Sequence, residues 1–191
     1  MRWLTLYARS RQVPLSAALV ALVTLLVRFL VDGGVDGSGD QPVALLVLTA
    51  SVAAATVGLV GQDSALDRTA AIRWVPRRAA HVLLVGVFAG AALLAVQAVG
   101  PELATTGLVV RACAGLVGLA ALGATLCGAQ YAWTLPTGWL ALVFFTPPLP
   151  GTLGEAAGWM TLTPATTVST GTAWALLAVG TLLYAVVGPR R

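Results

Sequence analysis

Apolar residues fill most of this chain in blocks of about twenty, and short polar stretches separate the blocks. A helix that crosses roughly 30 Å of hydrocarbon needs about 20 apolar residues, because its backbone groups must bond within the helix. Six spans are predicted by this rule, at about residues 14–32, 43–61, 79–99, 104–127, 132–147 and 171–188. The pattern indicates an all-α, polytopic membrane protein whose residues 1–191 form a single transmembrane domain with six transmembrane helices.

The region around the fifth span departs from this simple pattern. The span is short, contains Pro136 and ends at the sequence PPLP, so it can start or stop inside the bilayer. The segment that follows, residues 146–170, is too polar to span and too rich in Leu, Trp and Met for an ordinary loop. We therefore expect an outer hairpin or re-entrant segment before the last span, allowed where protein shields its backbone.

The composition supports a membrane location and argues against a water-soluble one. Hydrophobic residues make up 58% of the 191 residues and charged residues only 9%, whereas a soluble domain carries about 25% charged residues. The net charge of +4 comes from arginines that flank the predicted spans, which is a membrane-orientation pattern. We therefore expect no nucleic-acid partner.

The arginines also predict the orientation of the chain. In the six-span arrangement nine arginines lie on one side, and the opposite loops between the first and second spans and between the third and fourth spans carry only acids. Cytoplasmic loops are enriched in Arg and Lys, so both termini are predicted to be cytoplasmic in a multi-pass protein of the cell (plasma) membrane. The nine are Arg2, Arg9, Arg11, Arg68, Arg73, Arg77, Arg78, Arg190 and Arg191.

Two cytoplasmic segments are predicted to have structure of their own. Residues 1–11 mix Trp, Leu and Tyr with arginines, which is typical of an interfacial helix; a frayed tail with anchoring arginines is the alternative. Residues 62–78 begin with Ser64 and Asp67 in a capping-box-like spacing and continue with residues at helical spacing. The second segment either docks a partner protein or anchors the chain to anionic lipid through its arginines.

This layout resembles the membrane subunit of type-2 ABC exporters, and LDRTAAIRWVPRR resembles segments of small actinobacterial permease-type proteins. The resemblance covers the whole chain by layout, and at 191 residues the chain is small for that family. It implies a coupling helix in residues 62–78 that docks on a separate ATPase subunit. The docking residues implied are Ser64, Leu66, Asp67, Arg68, Arg73 and Trp74.

The resemblance also implies the partners. They are an ATP-binding-cassette ATPase subunit, a second permease copy or a homologous permease, and the lipid bilayer. ATP and Mg would lie on the partner ATPase, because the chain has no G-x-x-x-x-G-K-[ST] phosphate loop. We therefore expect no cofactor bound by this chain, and transport of a hydrophobic or amphipathic substrate.

Two charges lie inside the predicted spans, Arg28 and Arg111. An arginine at mid-membrane costs at least about 2.5–3.5 kcal/mol, so a partner is expected. One hypothesis is that they reach outward and pair with Asp32 and Glu102. The other is that they line a conduit or bind an anionic head group.

Small residues follow the third and fourth spans at helix-packing spacing. Gly86 and Gly90 form a G-x-x-x-G pair, and Gly115 and Gly118 share one side of the next span. Such residues let backbones approach closely, either within one subunit or at a dimer seam.

The sequence lacks the common catalytic and metal-binding patterns. There is no H-E-x-x-H, no G-x-S-x-G and no metal-ligand spacing of the two cysteines, so we expect no enzyme activity, no catalytic residue and no metal site. Two alternatives to the exporter stay open. They are a substrate-binding subunit of an energy-coupling-factor importer, and a non-transporting accessory membrane protein.

Overall fold

A computed structural model describes residues 41–56, 74–98, 102–162 and 166–190, together with residues 18, 21, 22 and 25. Within these residues the fold is all-α, as predicted, with six α-helices and one short 3₁₀ turn at Ala129–Tyr131. The helices are α1 (Gln41–Ala55), α2 (Trp74–Gln97), α3 (Thr106–Leu126), α4 (Thr134–Phe145), α5 (Gly151–Ala157) and α6 (Thr167–Val187).

Three of the described helices are long and apolar enough to cross a membrane, namely the stretches Val75–Gln97, Thr106–Leu126 and Thr167–Val187. They correspond to the predicted spans 79–99, 104–127 and 171–188. The helix α2 begins several residues earlier than predicted, and Pro76 lies in its first turn, where its missing N–H breaks no helical hydrogen bond. Helix α6 also begins earlier, at Thr167.

The remaining predicted spans are shorter in the structure or lie outside the described residues. Helix α1 has 15 residues and its predicted span continues to residue 61, beyond the described range. Helix α4 has 12 residues, which gives a length of about 18 Å. Alone it is too short to cross a bilayer. It ends at Phe145, since the chain leaves the helical conformation at Thr146 and the prolines that follow. The predicted first span is described only at four helical positions.

Helix α3 lies at the centre of the described structure and packs against α1, α2, α4 and α6. It starts after Thr105, whose hydroxyl accepts a hydrogen bond from the Leu108 N–H at 3.4 Å, as a helix N-cap does. Its most apolar 18-residue stretch is 83% buried, whereas the corresponding stretches of α2 and α6 are each 22% buried. The core is therefore arranged around one helix.

Candidate functional site

The feature that stands out in the structure is a turn, residues 158–162, that follows α5 and enters the helix bundle. We call it the inserted turn. Trp159 and Met160 are both fully buried, although they belong to a segment that is polar overall. The Trp159 ring lies directly against Gly115 of α3, since a Cβ at Gly115 would be 2.1 Å from the ring atom Cη2. Gly115 is nine residues into α3, about 13 Å along its axis, so the ring reaches the middle of the helix.

Three side chains from three different helices bind carbonyl groups of the inserted turn and of the end of α5. Trp139 of α4 donates its indole N–H to the Ala157 carbonyl at 3.1 Å. Gln41 of α1 donates its amide to the Thr161 carbonyl at 2.8 Å, and Arg111 of α3 donates Nη2–H to the Leu162 carbonyl. We call Gln41, Arg111 and Trp139 the donor set.

The donor set explains how non-helical backbone is stable when it is buried among the helices. A peptide carbonyl without a hydrogen-bond donor costs several kcal/mol in hydrocarbon, so irregular backbone is found only where protein satisfies it. Gln41 and Arg111 tie the inserted turn to α1 and α3, and Trp139 ties the end of α5 to α4. The outer hairpin or re-entrant segment predicted before the last span falls on α5 and this turn, and its depth in a membrane stays a prediction.

Arg111 is 3% exposed and connects three parts of the fold. Besides the Leu162 carbonyl, its guanidinium donates Nη1–H to Ser169 Oγ of α6 at 3.0 Å. The Ser169 hydroxyl in turn donates to the Thr166 carbonyl at 3.1 Å, which leaves its oxygen free to accept from Arg111. Arg111 thus links α3, the inserted turn and the first turn of α6, while Glu102 lies exposed before α3.

Glycines allow the helices around α3 to approach closely. A Cβ at Gly118 would lie 2.3 Å from the backbone carbon of Leu176, and one at Gly180 would lie 2.2 Å from the Gly118 oxygen. The backbones of α3 and α6 therefore touch at this crossing. On the other side of α3, a Cβ at Gly86 or Gly90 would meet Val117 at 3.1 Å or Cys113 at 3.2 Å. All four predicted packing glycines face another part of this same chain.

The predicted cytoplasmic end of the bundle gathers two arginines at helix C-termini. Gly188, which ends α6 with a φ of +80°, lies beside the Arg78 guanidinium. Arg190 donates its backbone N–H to the Ala124 carbonyl at 3.1 Å and its Nη1–H to the Leu126 carbonyl at 3.4 Å. Cations are favourable at these electronegative helix ends, and the arrangement fixes the C-terminal segment on the end of α3.

Most residues of the predicted ATPase-docking segment lie outside the described part of the chain. Trp74 is the first residue of α2, so the membrane helix starts inside the predicted segment 62–78. The docking residues Ser64, Leu66, Asp67, Arg68 and Arg73 are not described. Arg28, predicted to lie within the first span, is also outside the described residues.

Several residues of this site were missed by sequence reasoning. Gln41, Trp139, Trp159 and Ser169 were not singled out, because their contacts join segments that are far apart in the sequence. One signal was present: Trp159 and Met160 are adjacent apolar residues in an otherwise polar segment. Among the described residues no group of three His, Cys, Asp or Glu side chains is placed to hold a metal ion.

Comparisons with known proteins identify no family for this chain. No protein-family model matches the chain, and no curated protein or solved structure is significantly similar to it.

Proposed function

We propose that this chain is the membrane-embedded permease subunit of an ABC-type exporter that moves a hydrophobic or amphipathic substrate with a separate ATPase. The single observation that carries the proposal is the segment formed by α5 and the inserted turn: it lies between α4 and α6, enters the bundle and is bound there by side chains of α1, α3 and α4. A segment of this kind on the predicted outer side is what the resemblance to type-2 exporters implies. Three long apolar helices provide the membrane domain.

In this proposal the chain has six spans, with the interfacial helix at residues 1–11 and both termini in the cytoplasm of the cell membrane. The ATPase subunit binds residues 64–74, and a second permease copy or a homologous permease completes the transporter. Closure of the ATPases on ATP then rocks the two membrane halves between inward and outward forms. Because α2 begins at Trp74, a push on the docking segment would be transmitted along a continuous helix.

The test is co-purification of the chain with its ATPase, followed by measurement of ATP hydrolysis in proteoliposomes. The double variant Asp67→Ala with Arg68→Ala is expected to lose ATPase binding or coupling while its expression stays normal. Asp36→Ala with Asp40→Ala, in a predicted outer loop, is the matched control and should retain both. Unchanged binding and hydrolysis in the Asp67/Arg68 variant would contradict the proposal.

A second candidate function, a substrate-binding subunit of an energy-coupling-factor importer, is favoured by one observation. A cavity of about 360 Å³ lies between α4 and α5, on the predicted outer side where such a subunit would capture its ligand. We call it the outer cavity. A vitamin-sized molecule retained through purification, with ATPase recruitment insensitive to Asp67 and Arg68, would favour this function.

A further inference from the structure

We infer that the outer cavity binds an amphipathic organic cation, a protonated amine attached to an apolar body. The inference narrows the substrate class of the proposed permease and in that respect rests on the proposed function. Binding itself is a property of this chain alone and is measured without the ATPase.

The walls of the outer cavity are largely apolar. Leu142 and Val143 of α4 form one side, and Pro147, Pro148 and Leu149 form the connection to α5. A volume of about 360 Å³ is within the range of small-molecule sites, which hold a mainly apolar ligand and orient it with a few polar groups. The shape and lining therefore suit an organic body of about ten to fifteen non-hydrogen atoms.

The charged group at the outer cavity favours a positively charged ligand. Glu155 of α5 is partly buried, and it is the only charged side chain among the described residues that line the cavity. Its carboxylate forms no hydrogen bond or ion pair with the described part of the chain. A cationic ligand would supply the missing partner.

The backbone at the carboxyl end of α4 also favours a positively charged ligand. The outer cavity lies at the carboxyl end of α4, where Thr146 follows the last helical residue, and the last carbonyls of a helix attract cations. Pro147 and Pro148 have no N–H to donate, which reduces the number of donors that the connection can offer to an anion. Among the described lining residues Glu155 supplies the one charge, and no basic side chain is present.

The remaining wall of the outer cavity is held in place before any ligand binds. It is formed by Gly158, Thr161 and Leu162 of the inserted turn, whose carbonyls at positions 161 and 162 accept hydrogen bonds from Gln41 and Arg111. A fixed wall reduces the ordering that binding would otherwise require, which favours affinity. The Arg111 charge is directed at the carbonyl of Leu162.

The experiment uses the purified full-length chain in nanodiscs and three fluorescent ligands of one shape: naphthylethylamine, naphthylethanol and naphthylacetate. Equilibrium titration is expected to show at least tenfold tighter binding of the amine than of the alcohol, and weakest binding of the carboxylate. Glu155→Gln, which preserves size, should bring the amine and alcohol within twofold of each other. Glu102→Gln, an exposed acid at the same predicted end, should leave the tenfold preference intact.

Two results would overturn the inference. One is wild-type protein that binds the amine no better than the alcohol, or binds neither compound. The other is Glu155→Gln protein that keeps the preference for the amine. If the amine binds as expected and the ATPase does not co-purify, the proposed exporter function fails while the cation site stands, so the two failures are distinguishable.

Discussion

Helices α2 and α3 are both long enough to span a membrane and both apolar, yet they occupy opposite environments. The central stretch of α3 is 83% buried within the protein and that of α2 is 22% buried. Leu84 and Val87 of α2 are exposed by 64% and 68%, so they lie outside the packed core of the described residues. Hydrophobicity does not separate the two helices, because lipid tails are as apolar as leucine.

The two helices differ in what their glycines contact and in one buried charge. Helix α3 carries Gly115 and Gly118 where Trp159 and the α6 backbone come within contact distance, and it holds the buried Arg111. Close approach of backbones, together with hydrogen bonds between helices, replaces the hydrophobic effect as the source of helix association in a membrane. The buried helix is therefore the one whose side chains are small or polar at the right places.

Replacement of Trp159 should have the largest effect on stability. Trp159→Ala removes a fully buried ring and leaves a cavity against Gly115, so we expect a loss of about 3 kcal/mol or more in the free energy of unfolding. Trp174→Ala on α6, where the side chain is 50% exposed, is the control and should lose far less. Unfolding in mild detergent, followed by tryptophan fluorescence and circular dichroism, measures both; equal losses would contradict the buried position of Trp159.

The next largest effect is expected at the crossing of α3 and α6. Gly118→Ala places a Cβ 2.3 Å from backbone atoms of Leu176, which cannot rotate away, so the helices must separate at a cost of about 1–3 kcal/mol. Gly171→Ala on α6 is matched to it, because nothing lies within 4 Å of that Cβ. Since alanine favours helix over glycine, the control should be neutral or stabilising. Thermal unfolding of both variants measures the difference, and equal shifts would argue against close contact.

Loss of the Arg111 hydrogen bonds should destabilise the inserted turn by a similar or smaller amount. Arg111→Met keeps much of the length but removes the donors to Leu162 and Ser169, and an unsatisfied buried acceptor costs about 1–3 kcal/mol. Ser169→Ala removes only one of these partners and should cost less. Hydrogen exchange of residues 158–162 is the readout, with faster exchange expected in Arg111→Met; unchanged exchange would show that Arg111 does not hold the turn.

The smallest effect is expected on the exposed side of α2. Leu84→Ala exchanges one apolar side chain for another at a position 64% exposed, and we expect a change within about 0.5 kcal/mol. Leu116→Ala on α3, which is fully buried, is the contrasting variant and should lose about 2–5 kcal/mol. A large loss at Leu84 would mean that another part of the protein or a second subunit covers this surface.

Part of the fold was predictable because span length and small-residue spacing are local properties. The stretches that became α2, α3 and α6 were recognisable from about twenty apolar residues each, and the interruption near Pro147 from its proline cluster. The glycines at positions 86, 90, 115 and 118 were recognisable by spacing, but the helix or ring that each one meets was not. The candidate site combined Gln41, Arg111 and Trp139 with a turn far from them in sequence, and no local pattern relates such residues.

The sequence by itself determined that this chain consists of long apolar helices with arginines between them, since the absence of water in a bilayer leaves the backbone few other choices. Only the tertiary structure decided which helix is central and where the inserted turn finds its hydrogen-bond donors. The reason is physical: in an apolar solvent, burial is governed by backbone approach and by polar contacts between distant segments. Both depend on the packed arrangement of the helices, so hydropathy along the chain does not encode them.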